Sequence, residues 1–170
     1  MPTMTMSKAF YVTVVLAVIV AAYLGLEAWL GVKEYWVGFL FLSQWGLMEQ
    51  CRMDRLPASI FGAATGLLIA LAPSQLPLFL GMTLGLTVTA VVTLAATYSL
   101  IMGWLPLFIN AATMIFLTVI TVPQIAQGST PTSLLAGLAT GVLFFGGLGL
   151  VGAAVSRAKG SAPVDVAPAE

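Results

Sequence analysis

Few side chains in this chain can move a proton, bind an ion or hold a polar solute. Two carboxylates adjoin apolar sequence. Glu27 lies near the end of the run Ala9–Leu30, and Glu49 opens the charged stretch MEQCRMDR (48–55). Ionisable side chains among membrane helices mark ion paths and proton relays. Glu27 and Glu49 are therefore the candidates for coupling or for a vestibule. Each has a plainer reading. Glu27 can snorkel toward the headgroups beside Lys33 or pair with it. Glu49 and Asp54 are near enough to pair with Arg52 and Arg55, whose job would be to hold a loop on one side of the membrane.

The other candidates are neutral. Ser43 and Gln44 lie midway along one apolar run, Asn110 and Thr113 lie inside another, and Thr65 and Thr140 sit in two similar glycine-rich segments. An unpaired amide in hydrocarbon costs a few kcal/mol, so Gln44 and Asn110 should point inward. They either fix packing through a hydrogen bond between helices or, with Ser43, Thr113, Thr65 and Thr140, line a path for a small polar or neutral solute. The threonine hydroxyls can instead bond back to their own helix carbonyls.

No enzyme reading survives. Acid–base and nucleophilic chemistry needs a titratable pair within hydrogen-bond reach, and the apolar runs contain no Lys, Arg, His or Asp. No catalytic residue is expected. The chain has no histidine and one cysteine, Cys51. That excludes His/Cys zinc sites, histidine-ligated haem and iron–sulfur clusters, so no metal or cofactor is expected. Cys51 reads as a small buried hydrophobe.

Hydrophobic residues make up 60% of the chain and charged residues only 7%, against about 25% charged in soluble domains. Such a chain cannot cover itself with polar surface, so its solvent is the lipid bilayer. Net charge is zero, and there is no basic stripe to attract nucleic acid. The alternating pattern of barrel strands is missing, so the runs should be helices.

Six spans are expected, at roughly 9–31, 35–50, 57–71, 77–102, 104–122 and 132–155. The first is long enough to be a retained helix. "APSQLP" and "GWLP" read as turns, "PQIAQGSTPT" as a polar loop, and 157–170 as a disordered cytoplasmic tail. An even number of spans puts both termini on one side. Lys8, Arg52, Arg55, Arg157 and Lys159 then share a face, with Lys33 opposite, and the positive-inside rule makes that face cytoplasmic.

The third and sixth spans match. "PASIFGAATGLL" (57–68) aligns with "PTSLLAGLATGVL" (131–143) with one inserted residue. The second and fifth rhyme as "YWVGFLF" (35–41) and "GWLPLFI" (103–109), pairing Trp36 with Trp104 and Gly38 with Pro106. The halves are 1–72 and 75–156, each of three helices. An odd number inverts the second half relative to the first, giving the inverted-topology repeat of many transporters and channels. Gly62 with Gly66, Gly81 with Gly85, and Gly137 with Gly141 each place two glycines on one helix face, where backbones can approach closely.

With these segments in place, the chain resembles the YcdZ-type bacterial inner-membrane proteins, a family defined by a domain of unknown function. The resemblance rests on length, the six-span layout, "AWLGVKEYWVGFL" (28–40), "LPLFINAATMIF" (105–116) and "AGLATGVLFFG" (136–146). It covers nearly the whole chain apart from the termini and implies a multi-pass location in the bacterial inner membrane. It brings no activity to transfer. The charged "MEQCRMDR" stretch is not a shared feature.

The expected function is a small integral membrane channel or transporter for a small polar or neutral solute. The alternative is a non-catalytic structural or accessory membrane subunit that packs through its glycine faces. Six short spans enclose little volume, so a homo-oligomer is expected.

Overall fold

The computed structural model describes residues 5–122, 125 and 128–160. Among these residues the protein is all-helical. Helix α1 spans Met6–Leu30 and ends on Gly31, whose left-handed φ of 70° suits glycine. Helix α2, Tyr35–Leu42, runs on into a π-helical segment, Ser43–Met48. Helix α3 spans Leu56–Leu80, α4 Met82–Ile101 and α5 Ala111–Ile120. Helix α6, Pro131–Gly141, passes through a second π-helical segment, Val142–Gly146, into α7, Gly147–Gly160.

Four helices are long and apolar enough to cross a membrane: Met6–Leu30, Leu56–Leu80, Met82–Ile101 and the continuous Pro131–Ala158. The expected second and fifth spans are shorter. The chain around α2 is helical from Tyr35 to Met48, and α5 has only 10 residues.

Three boundaries differ from expectation. "APSQLP" is not a turn: α3 continues through Pro73 and Pro77. The break comes at Gly81, whose φ of 80° and ψ of 162° lie outside ordinary side-chain range. The proposed division at 72–75 therefore falls inside a helix. The prolines remove two backbone donors; Ser74 Oγ, between them, donates to the Leu71 carbonyl at 2.9 Å, and Gly85 lets α4 lie directly against Pro77. Residues 104–110 are turns rather than the start of a span, because Leu105 takes a φ of 52° and Asn110 caps the helix that follows. Of the expected tail, 157–160 complete α7, whereas 161–170 lie outside the described residues, as do Pro123, Gln124, Ala126 and Gln127 of the polar loop.

The core sits among α2, α3, α5 and α6. It is built by Val37, Phe41 and Trp45 from one side, Ala63, Leu67 and Ala70 from α3, Phe116 and Ile120 from α5, and Leu134 and Leu138 from α6. Helix α2 packs chiefly on α6, and α5 on α3. Both pairs run parallel. Gly137 abuts the Glu34 backbone, Gly141 abuts Gly38, and Gly149 abuts Trp45. In the other pair Gly62 abuts Asn110, and Gly66 abuts Thr113 and Phe116. Leu56 lies against Gly146, while Ala70 and Leu71 share a cavity wall with Pro131 and Leu134 at the far end. Helices α3 and α6 are thus antiparallel.

Helices α1 and α4 lie outside this core. Helix α4 rests mainly on α3, and α1 touches α6 more lightly. Most of their large apolar side chains are exposed, including Phe10, Val18, Val91 and Leu94. Apolar all round and poorly covered by protein, they are surfaces for lipid.

Candidate functional site

A cluster of deeply buried polar groups lies where α1, α2 and α6 meet. Glu27 is 2% exposed, so it neither snorkels nor pairs with Lys33. Its Oε1 meets the Thr140 hydroxyl on α6. Its Oε2 is buried with no hydrogen-bond partner. Tyr23, one helical turn earlier on the same face, has its hydroxyl beside both Glu27 and Thr140 and donates it to the Tyr35 carbonyl at 3.1 Å. The Tyr23 ring is clamped by Phe39, Phe144 and Phe145, with centroids 5.1, 5.4 and 4.8 Å away. This aromatic sleeve attaches α1 to the rest of the protein.

Glycine creates the room. Gly38 lies under the Tyr23 hydroxyl and 2.9 Å, measured from an added Cβ, from the Gly141 Cα. A side chain at either position would separate α2 from α6, and one at Gly38 would also displace Tyr23.

Toward the Lys33 end a recess of about 420 Å³ opens, lined by Leu30–Glu34, Gly128, Thr130, Ser133 and Ala136. Glu34 is 8% exposed. Its Oε2 accepts from Trp36 Nε1 at 2.6 Å, and Ser133 Oγ lies 3.5 Å from Oε1. The recess reaches Ala136, whose carbonyl accepts from Thr140 Oγ1 at 2.9 Å. One turn of α6 therefore separates the recess from Glu27.

Gln44 sits in the first π-helical segment, 2% exposed, with Oε1 unpartnered. Such insertions recur at functional sites because the widened turn re-aims its side chains. Its neighbour Trp45 is held by stacking on Phe41 at 6.2 Å and by donating Nε1 to the Arg52 carbonyl at 3.1 Å. Ser43 is exposed and donates to the Phe39 carbonyl at 2.8 Å.

Asn110 is committed elsewhere. Its Oδ1 accepts from the Ala112 N–H at 2.9 Å, and its Nδ2 donates to the Ala58 carbonyl on α3 at 2.8 Å and to the Pro106 carbonyl at 3.1 Å. Thr113 closes the capping box: its hydroxyl accepts from the Asn110 N–H at 3.1 Å and donates to the Phe108 carbonyl at 2.8 Å. These two residues anchor a short helix. Thr65 donates to the Phe61 carbonyl at 2.8 Å. The candidates thus separate: Glu27 and Thr140 come together, Gln44 stands in the π-helical turn, and Asn110 and Thr113 form a cap.

Glu49 is half-buried beside the charged loop. There Arg52 Nη2 meets Asp54 Oδ2 at 2.7 Å, with Arg55 4.0 Å away. The Arg52 guanidinium holds the Asp54 carboxyl below its ordinary value. Cys51 is exposed rather than buried; it lies in the turn beyond the π-helical segment, where Gln50 and Cys51 both take left-handed φ values, 53° and 55°. Of the glycine candidates, Gly62, Gly66, Gly85, Gly137 and Gly141 all sit at close backbone approaches, whereas Gly81 faces open space and serves the turn.

Sequence reasoning missed Tyr23 and Glu34. Tyr23 was signalled by its spacing of one turn from Glu27, which places both on one helix face. Glu34 was signalled by its position immediately before an apolar helix, where a carboxylate faces the free backbone N–H groups.

No family model, curated protein or solved structure matches the chain.

Proposed function

We propose that this protein is a small membrane channel or transporter for a small polar or neutral solute. The observation that carries the reading is the pair of buried acceptor oxygens without donors, Glu27 Oε2 and Gln44 Oε1. Buried polar atoms are almost always paired, and in hydrocarbon the cost of leaving one unpaired is several kcal/mol. Sites kept at that cost are available to something that passes or binds.

The architecture supports the same reading as an inverted repeat of six membrane segments. Helices α2 and α5 are the short members, each lying parallel to the glycine helix of the other half, α6 and α3. The peripheral helices follow suit, α1 against α6 and α4 against α3. In this register Glu34 corresponds to Asn110, because each precedes its short helix and faces the first glycine of the partner. Trp104 and Pro106 precede α5 and have no part in the match. With Lys8, Arg52, Arg55, Arg157 and Lys159 on one face, the repeat places both termini in the cytoplasm. The resemblance to YcdZ-type proteins implies a bacterial inner membrane, and the little volume that six short spans enclose implies a homo-oligomer.

Flux into liposomes holding purified protein tests the reading. Uptake of some member of a panel of small neutral and polar solutes should exceed that of empty liposomes, and Gln44→Leu should reduce it. Equal uptake across the panel removes the proposal.

The second reading, an accessory subunit, is favoured by the close contact of Gly38 with Gly141, which leaves no lumen between α2 and α6, and by the bare faces of α1 and α4. It requires a protein partner that co-purifies from native membrane and protects those faces from lipid-phase labelling.

A further inference from the structure

The Thr140 hydroxyl has more acceptors than hydrogens. Its oxygen lies 2.9 Å from the Ala136 carbonyl, 3.2 Å from the Gly137 carbonyl, and against Glu27 Oε1. A hydroxyl donates one hydrogen and accepts through its lone pairs. If Glu27 is a carboxylate, Thr140 must turn its hydrogen to Oε1 and give up the bond to its own helix. If Glu27 carries a proton, the arrangement closes: Glu27 donates to Thr140 Oγ1, and Thr140 donates to the Ala136 carbonyl.

No cation neutralises Glu27 from the elements packed against it. The only titratable side chain of α2 is Tyr35, and α6 with its π-helical extension has none before Arg157. On α1 the facing titratable group is Tyr23, a neutral hydroxyl that lies beside Glu27 and 3.1 Å from the Tyr35 carbonyl. Lys33 and Glu34 line the recess beyond.

We propose that Glu27 is a proton-binding site, loaded from the recess at Glu34, and that gain or loss of this proton reverses the Thr140 hydrogen bond. The inference rests on the transport reading and supplies its coupling ion. A proton is the ligand of choice because Glu27 is 2% exposed and the recess stops at Ala136, a turn short of Thr140. A hydrated metal cation does not fit that gap, whereas a proton occupies no volume. The balance is simple: the proton comes from water in the recess, converts the carboxylate to the acid, and returns by the same route. The event sits where α1 is held to α6, next to the Gly38–Gly141 crossing. It is therefore placed to tighten or release α1, the least buried of the four long helices.

Infrared difference spectra of the full chain in lipid nanodiscs, acid minus alkaline, test this directly. The expected result is a carbonyl band of a buried protonated carboxyl that vanishes in Glu27→Gln. It should persist in Glu49→Gln, and shift in frequency in Thr140→Val but not in Thr140→Ser. Size-exclusion profiles and helical content of each variant check folding, and the Thr140 pair gives the same answer without touching the carboxylate. A band unchanged in Glu27→Gln overturns the proposal. So does a band bleached by sodium but not by choline at constant pH, which would make the ligand a metal cation. Solute flux is a separate readout. Its absence would remove the transport reading while the Glu27 band still stood, and a missing band would remove the proton site while flux still stood.

Discussion

Gly38 and Gly141 meet backbone to backbone: Gly38 is the nearest obstacle to a side chain on Gly141, and a side chain on Gly38 would meet the Tyr23 ring first and the Gly141 backbone next. The contact joins α2 to α6, and the Tyr23 hydroxyl closes over it. Overpacking at such a crossing costs about 1–3 kcal/mol. Gly141→Ala and Gly38→Ala should each lower the thermal midpoint in detergent. Gly38→Ala should do more damage, because it also drives out Tyr23. Gly147→Ala, with open space around it, is the control and should leave the midpoint unchanged. Equal midpoints for all three would mean that the helices do not touch here.

Asn110 is an anchor, and its variants should behave accordingly. Loss of an N-cap costs about 0.5–2 kcal/mol. Asn110→Ala also removes the bond to the Ala58 carbonyl of α3, so it should fall toward the upper end of that range. Asn110→Asp keeps the cap but loses the bond to Ala58, and its loss should be intermediate. Hydrogen exchange at Ala112 and Thr113 would read both, with faster exchange in Asn110→Ala.

The sequence showed plainly that the chain is helical and lipid-embedded, because composition alone decides that. Helix ends were harder to read. In a soluble helix the polar face marks where periodicity stops, but α1, α3 and α4 are apolar on every side. Proline was the punctuation relied on, and in α3 it misled: the helix runs through Pro73 and Pro77, and Gly85 lets α4 close over Pro77. Inside a membrane such helices are re-satisfied by neighbours. Glycine was the better signal. Gly62, Gly66, Gly137 and Gly141 lie at the approaches their spacing implied, because only the missing side chain permits contact at that distance. Burial of Glu27 was not legible. Four residues from the end of a helix, a carboxylate can reach headgroups or turn inward, and Tyr23 and Thr140 decide between them.

The Arg52–Asp54 pair predicts a small pH effect of definite sign. Arg52 stabilises the ionised form of Asp54, so its folded-state value lies below the ordinary one. The pair therefore adds stability above the ordinary aspartate value, about pH 4, and loses it as pH falls through the depressed value. Both side chains are more than half exposed, at 57% and 60%, so salt should screen the effect. Thermal melts from neutral pH to below about pH 4 should show a wild-type decline that Asp54→Asn lacks. Molar salt should shrink the difference between them.

Cys51 offers a direct reading of orientation, since it is the lone cysteine of the chain and its side chain is exposed. It sits in the loop with Arg52 and Arg55, at the opposite end of α2 from Lys33. If positive charge holds that loop in the cytoplasm, a membrane-impermeant maleimide should leave Cys51 unlabelled in intact cells and label it after the membrane is opened. In a Cys51→Ser background, Lys33→Cys should show the reverse, with labelling in intact cells. The two sites are joined by a helical stretch from Tyr35 to Met48, about 21 Å long at 1.5 Å per residue and shorter than the hydrocarbon core of about 30 Å. Opposite accessibility would mean that this short segment crosses with its ends drawn into the protein, as a helix buried against α6 can. Labelling of both sites from one side would make it re-entrant, remove the inverted repeat, and leave the chain with the four crossings its long helices supply.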